Sequence, residues 1–512
     1  MTNATASGIA PADAAQLDAD VDAAFDAVVV GSGAGGAVIA KELAEGGRRV
    51  AIVEEGGVHT AHRDVPFASL ARLYRDCGFT GTLGRPAVVA PAGKCFGGTT
   101  TINSGTCFRT PSDVIARWRG DLGLTEIEPG DLARASERVE REINVTTTDL
   151  ALMSRGNQLI HELLEREGLR GAPLRRNVRG CEGCGTCCYG CTSGAKQSMD
   201  RCYLPKALRA GATAFVHARA GKILCDSAGR AAGIAAVAAG GQRRRLTLRA
   251  PVVVLACGSF LTPQVLRDNG IAHGNPHLGR HLTVHPATKV YAEFEERVED
   301  WKGVPQSYSY DGLHDDGIMF EGASMPPELA AMAMPLIGPR LAHFIRRYAH
   351  IASFGMMVSD TTEGRMMRAP GYGCVFRYSL TKTDLERMRR GIAFLARLYL
   401  RHGALRVYTP VNRKENVFHS LNDVDRFERA PLRASEIEAM AFHPLGTCRM
   451  AASAGCGVCG QDHQVYGVPG LYVCDGSIVP SALGVNPQVT IMSLATRLAE
   501  RLLGRELPPA AS

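Results

Sequence analysis

Two residue sets near the C-terminus are of types and spacings that can move protons. One is His443-Pro-Leu-Gly-Thr-Cys-Arg-Met450, and the other is the Asn486-Pro487 step. An imidazole exchanges a proton near neutral pH, and a carboxamide beside it can fix a substrate oxygen by hydrogen bonding. Ile491, Leu494, Ala495, Leu498 and Leu502 follow at helical spacing. Asn486 suits the cap of that helix and Pro487 its first position. The positive helix end then points where Asn486 points, which suits a group that gains negative charge on reduction.

A third set binds rather than reacts. The apolar run from Asp26 to Val30 leads into Gly31-Ser-Gly33-Ala-Gly-Gly36, then an apolar helix face (Val38, Ile39, Leu43), then a second apolar run closing on Glu54. The order is strand, glycine turn, helix, strand, acid. Gly31 permits the tight turn, Gly33 lets a pyrophosphate approach the backbone, and Gly36 lets helix and strand touch. The free N–H groups at the helix start favour phosphate, and Glu54 would accept from ribose hydroxyls. This pattern predicts a dinucleotide site.

With that loop upstream, the C-terminal motifs form a set that resembles the glucose–methanol–choline (GMC) family of FAD-dependent oxidoreductases, over roughly residues 25 to 505. The resemblance includes Gly93-Lys-Cys-Phe-Gly97-Gly98-Thr-Thr-Thr-Ile-Asn103 and Gly279-Arg280-His281-Leu282 with His285-Pro286. It implies that Gly97, Gly98 and Asn103 line the flavin ring, that Asp475 and Gly476 meet the ribityl and pyrophosphate region, and that Val216 offers backbone to the adenine. It also implies that His443 accepts the alcohol proton while hydride passes to flavin N5, with Asn486 holding the substrate oxygen. The segment 93–107 contains no histidine for a covalent link, so non-covalent FAD is expected. One departure is Gly457-Val-Cys-Gly460 with Gln464, where the family carries Val-Val-Asp and an arginine.

Cys181, Cys184, Cys187 and Cys191 repeat the spacing of a ferredoxin-type iron–sulfur run, without its usual following proline. Structural zinc is a second ligand for four thiolates. The neighbouring Gly190-Cys-Thr-Ser-Gly-Ala-Lys196 instead resembles the long-chain alcohol oxidase branch, which implies a glycine-rich loop with packed thiols. Residues 325–345, rich in Met, Leu and Ile, and 355–365 resemble the same branch. They imply an apolar channel or lid for a long-chain aliphatic or sterol-like alcohol, or a core helix, or a peripheral membrane contact through which a lipid-like substrate enters. O2 or another acceptor would reoxidise the flavin. Two alternatives are a flavin-containing lyase of the same fold and an iron–sulfur flavoprotein dehydrogenase passing electrons to a partner.

These sites need elements to hold them. The chain has 512 residues, 45% hydrophobic and 21% charged, which allows more than one domain and excludes collagen, coiled coil and disordered classes. Its 57 glycines, about 11% against roughly 7% on average, suit close backbone approach to a ligand. Net charge is +7 and the one compact basic run, 243–245, reads as a solvated strand face, so no nucleic-acid partner is expected. No stretch reaches 18 apolar residues and no export signal is visible, so a cytoplasmic protein with reduced cysteines is expected, with peripheral membrane association as the alternative.

The predicted fold is α/β, a Rossmann-like FAD-binding domain assembled from residues 25–110, 195–286 and 441–506. An inserted α+β substrate-binding domain with an antiparallel sheet occupies 287–440. Residues 111–194 form a connecting region with the cysteine-rich loop, and 1–24 a flexible tail.

Overall fold

The computed structural model describes residues 10–59, 66–241, 243–369 and 373–508. Its first sheet is six-stranded and fully parallel, in the order Ala12–Asp13, Thr213–Val216, Val50–Val53, Ala27–Val30, Val252–Leu255, Leu471–Val473. Ala27–Val30 and Val50–Val53 are buried throughout, as β-branched strands covered on both faces should be. One face is covered by the helices Ala34–Glu45, Tyr203–Arg209 and Gln488–Leu503. The other meets a four-stranded sheet and the helix Ser112–Asp121. Strands contributed from widely separated stretches of chain thus close one Rossmann-like layer. The order reverses around Ala27–Val30, which puts the ligand crevice at its carboxyl end.

Residues 12–24, expected as a flexible tail, instead supply strands to two sheets. Ala12–Asp13 pairs with Thr213–Val216, and Val21–Ala24 pairs with Arg245–Arg249. The second pairing also explains the basic run. Leu246 and Leu248 point inward while Arg249 meets Asp22 (2.9 Å) and the Arg245 N–H donates to Asp20 (3.0 Å). Residues 1–9 and Gln242 lie outside the described residues.

The second large sheet has twelve strands and is mainly antiparallel, centred on Ala287–Glu293, Ile351–Val358, Ile318–Gly322 and Tyr308–Tyr310. Val290, Phe354 and Phe320 on one face pack with the helices Arg155–Arg166 and Lys382–Arg401. The sheet reaches outside 287–440: Gly81–Leu83, Val88–Val89 and Ala172–Pro173 also join it. The connecting region is likewise shared out, because Trp118 and Leu132 enter the core of the first layer while Leu159 and Leu163 enter that of the second. Among the described residues no helix is long and apolar enough to cross a membrane.

Candidate active site

Gly31 has φ +100°, and a Cβ there would lie 2.2 Å from the Ala256 carbonyl oxygen. A Cβ on Gly36 would lie 2.0 Å from the Gly31 oxygen, so both glycines are demanded by packing. Gly33 differs: a Cβ on it would meet nothing within 4 Å, and the residue lines a large cavity. The helix Ala34–Glu45 starts there without a side-chain cap, leaving its first N–H groups free for an anion. Glu54 stands at the end of the next strand. It accepts from Ser32 N and Oγ (3.0 and 2.6 Å) and from Gly56 N (2.8 Å), while burial pushes its carboxyl up. Ser32 Oγ also accepts from Gly97 N (3.0 Å), which ties the dinucleotide loop to the segment 93–103.

Gly98 and Asn103 line the cavity, whereas Gly97 lies behind it at φ +96°. Asn103 donates to Gln488 (2.9 Å), and Gln488 donates to the Thr106 carbonyl (2.7 Å). Asp475 accepts from Gly258 N and Ser477 N (both 2.8 Å), and it lines the cavity with Gly476 and Pro487. Val216 is buried without lining it; Ala218 and Arg219 do so instead. These features fit FAD: free helix N–H groups, an acid at the second strand end, and polar backbone along the path between them.

Asn486 does not cap the C-terminal helix. Gln488–Leu503 begins one residue later than expected, with Pro487 in the cap position. The Asn486 side chain is therefore free to join the reactive cluster, and its Nδ2 stands 3.3 Å from both His443 Nε2 and Glu321 Oε2.

The proton on His443 is set by a neighbour. His285 Nε2 accepts from Leu483 N (2.9 Å) and Gly484 N (3.1 Å), so the hydrogen of its neutral ring is on Nδ1. Burial, and secondarily the His443 ring, hold His285 well below the usual range, which keeps it neutral. Its Nδ1 hydrogen points at His443 Nδ1, 3.2 Å away. His443 then carries its own hydrogen on Nε2, and burial lowers its pKa to about 4. In that tautomer His443 presents Nε2–H toward Asn486. Two donors, His443 Nε2–H and Asn486 Nδ2–H, thus flank one point where an oxygen can sit.

Glu321, which the sequence reading missed, lies beside them. Its Oε2 accepts from Gln306 Nε2 (2.5 Å) and Asn486 Nδ2 (3.3 Å), while Oε1 has no partner. Burial raises its pKa to about 7, against a lowering by Asn486. Gln306 is oriented by Thr106 and Ser104 hydroxyls at its oxygen. The available signal was a carboxylate in the apolar strand Ile318–Gly322, on the face opposite Ile318 and Phe320.

The cysteine run does not form one site. Among the described residues no three His, Cys, Asp or Glu side chains form a group that could hold a metal ion. Cys184 interacts with Cys191, which holds the Cys184 thiol at about 3 and pushes Cys191 up, while Cys181 and Cys187 face the buried Arg176. The Arg176 guanidinium donates to Cys187 Sγ (3.0 Å) and the Lys196 ammonium to the Cys187 carbonyl (2.7 Å). Anaerobically purified protein is expected to carry FAD without stoichiometric iron or acid-labile sulfide. Iron at four-iron stoichiometry would restore the cluster reading.

The cavity measures 770 Å³ and runs from the dinucleotide loop past His443, Asn486 and Glu321 to Met325, Leu329, Met332 and Met334. The GMC oxidoreductase family models match residues 70–287 and 370–495, and an FAD-binding domain model matches 26–67. The chain belongs to the GMC oxidoreductase family. An uncharacterised GMC-type oxidoreductase of Mycobacterium tuberculosis is 39% identical over 94% of this chain and 76% of its own length. A long-chain-alcohol oxidase of Arabidopsis thaliana is 29% identical over 93% of this chain and 67% of its own. Pyridoxine 4-oxidase from Mesorbium loti shares the fold at 18% identity and a TM-score of 0.72, covering 94% of this chain and 100% of that one. Formate oxidase does so at 16% and 0.73, covering 95% and 99%. This GMC oxidoreductase is an FAD-dependent enzyme acting on CH–OH donors.

Proposed function

We propose that this GMC oxidoreductase oxidises an alcohol with a largely apolar body, long-chain aliphatic or sterol-like, to the aldehyde or ketone. The observation that carries the reading is the limb of the cavity under the helix Pro327–Ala333. It is lined by Met325, Leu329, Met332 and Met334 and leads to His443 and Asn486. Flexible thioethers and leucines accept irregular apolar shapes. The kinship to plant long-chain-alcohol oxidases supports the same class.

The alcohol oxygen accepts from His443 Nε2–H and Asn486 Nδ2–H, which stabilise it as it loses its proton. A donor of this kind is typically worth ~10²–10³ in rate. Glu321 takes that proton, since its carboxylate is the group beside the two donors whose proton affinity lies near neutral pH. Bound FAD supplies the two-electron acceptor for the carbinol hydrogen. Reoxidation falls to O2 or another electron acceptor. An anaerobic absorbance spectrum with dodecanol tests the reading: the oxidised-flavin bands are expected to bleach. Bands that persist with dodecanol and with a sterol would remove the apolar-alcohol class.

A further inference from the structure

The floor of the substrate limb carries a cation that the proposed oxidation does not use. Lys289 and Glu321 both align with Gly355, on the two strands that flank it. Residues directly opposite one another in neighbouring strands point to one face, so the Lys289 and Glu321 side chains rise from the same floor with a glycine gap between them. A Cβ on Gly355 would lie 2.9 Å from Ala323 Cβ and would close that gap. At two strand spacings, Lys289 and Glu321 are about 10 Å apart at Cα. All three residues line the cavity.

Among the described residues, no acid lies within ion-pair distance of the Lys289 ammonium, and nothing hydrogen-bonds it. The groups around it are otherwise engaged or distant. Asp300 already accepts from Ser154, Ser324 and Gly156 at one oxygen and from Ser353 N and Oγ at the other. Glu321 is held by Gln306 and Asn486. Cys188 faces the ammonium but its own thiol is pushed up by burial, as is the phenol of Tyr291 on the same strand. Glu438, next to Thr288, is exposed at the cavity wall. An ammonium taken out of bulk water without a partner is disfavoured, and a ligand anion removes the penalty.

We propose that Lys289 is an anion subsite, and that the alcohol this enzyme takes carries a carboxylate: a hydroxy acid, its carbinol at His443, Asn486 and Glu321 and its carboxylate at Lys289. This rests on the alcohol-oxidation reading and narrows it. Burial lowers the Lys289 ammonium to about 8, with Cys188 and Asp300 acting the other way, so the subsite is charged at neutral pH and discharges in mild alkali.

The test uses the FAD-loaded protein and two independent readouts. The first is binding of octanoate, which cannot be oxidised, followed by perturbation of the flavin spectrum. Wild type is expected to bind it below pH 8 and to lose affinity above. Lys289→Met should bind about 10- to 100-fold more weakly with no such pH limit, and Lys289→Arg should bind and carry the limit upward. The second readout is the kcat/KM ratio of 8-hydroxyoctanoate to its methyl ester and to 1-octanol, expected to fall by a similar factor in Lys289→Met. Equal octanoate affinity in wild type and Lys289→Met, or loss of FAD from that variant, overturns the subsite. If none of the alcohols is oxidised while octanoate binding still depends on Lys289, the oxidation reading fails and the subsite stands.

Discussion

Glu321→Gln is expected to slow flavin reduction by alcohol by about 10²–10⁴-fold while leaving bound FAD in place. The amide keeps the shape and the contacts with Gln306 and Asn486, but it cannot accept a proton. The pH profile carries the sign. Glu321 acts as a carboxylate, so the wild-type rate rises with pH through about 7, the value to which burial lifts it. That limb should vanish in Glu321→Gln. His443→Ala should also retain FAD and lose most of the reduction rate, because it removes the Nε2–H donor, yet it should keep the limb near 7. Rapid-reaction measurements on both variants across pH separate the roles. A limb that survives in Glu321→Gln and disappears in His443→Ala would return the proton to His443 and set aside the tautomer argument built on His285.

Asp360 is the group most able to confuse that profile, because burial also lifts it to about 7. It accepts from Tyr378 and from the backbone N–H groups of Val284 and His285, so it supports His285 from behind. A titration seen equally in wild type and Glu321→Gln would be assigned to Asp360.

The second large effect is loss of the cofactor from Gly33→Val. A Cβ there meets no protein atom within 4 Å, and Gly33 has an ordinary negative φ, so the fold should survive. Two methyl groups would instead stand at the uncapped start of Ala34–Glu45, where the pyrophosphate must approach the backbone. The expected product is a folded, colourless protein with native-like circular dichroism that does not take up added FAD. Gly31→Ala provides the contrast. It forces a side chain against the Ala256 carbonyl at positive φ, and should lower stability as well as flavin content. Normal FAD binding by folded Gly33→Val would mean that the loop is misread.

Several departures from the sequence reading share one cause. The 12–24 segment looks like a tail because its polar, alanine-rich residues carry no periodic signal; it is held as edge strands of two sheets built from distant residues. Asn486-Pro487 matches a helix-start pattern, but one residue of displacement converts a cap into a side chain aimed at His443. Helix ends fray and shift by a residue or two, so a capping pattern in the sequence does not fix the terminal residue. The cysteine spacing is that of a cluster, yet spacing says nothing of how the flanking Arg176 and Lys196 side chains fold back onto Cys187.

What is legible along the chain is whatever neighbours in sequence build together. The strand, Gly31 turn, helix and Glu54 lie within thirty residues, and a parallel βαβ unit leaves them little freedom, so the dinucleotide site and the Rossmann-like layer follow from residue types alone. The family follows from the same local motifs. The direction of the His443 proton, the placement of Glu321 and the open row of Lys289, Gly355 and Glu321 belong to the tertiary structure. Each depends on the register of strands or the meeting of loops far apart in the chain. A one-residue slip in that register would turn Lys289 and Glu321 to the opposite face of the sheet and take Val290 and Phe320 out of the core, so burial of that face holds it.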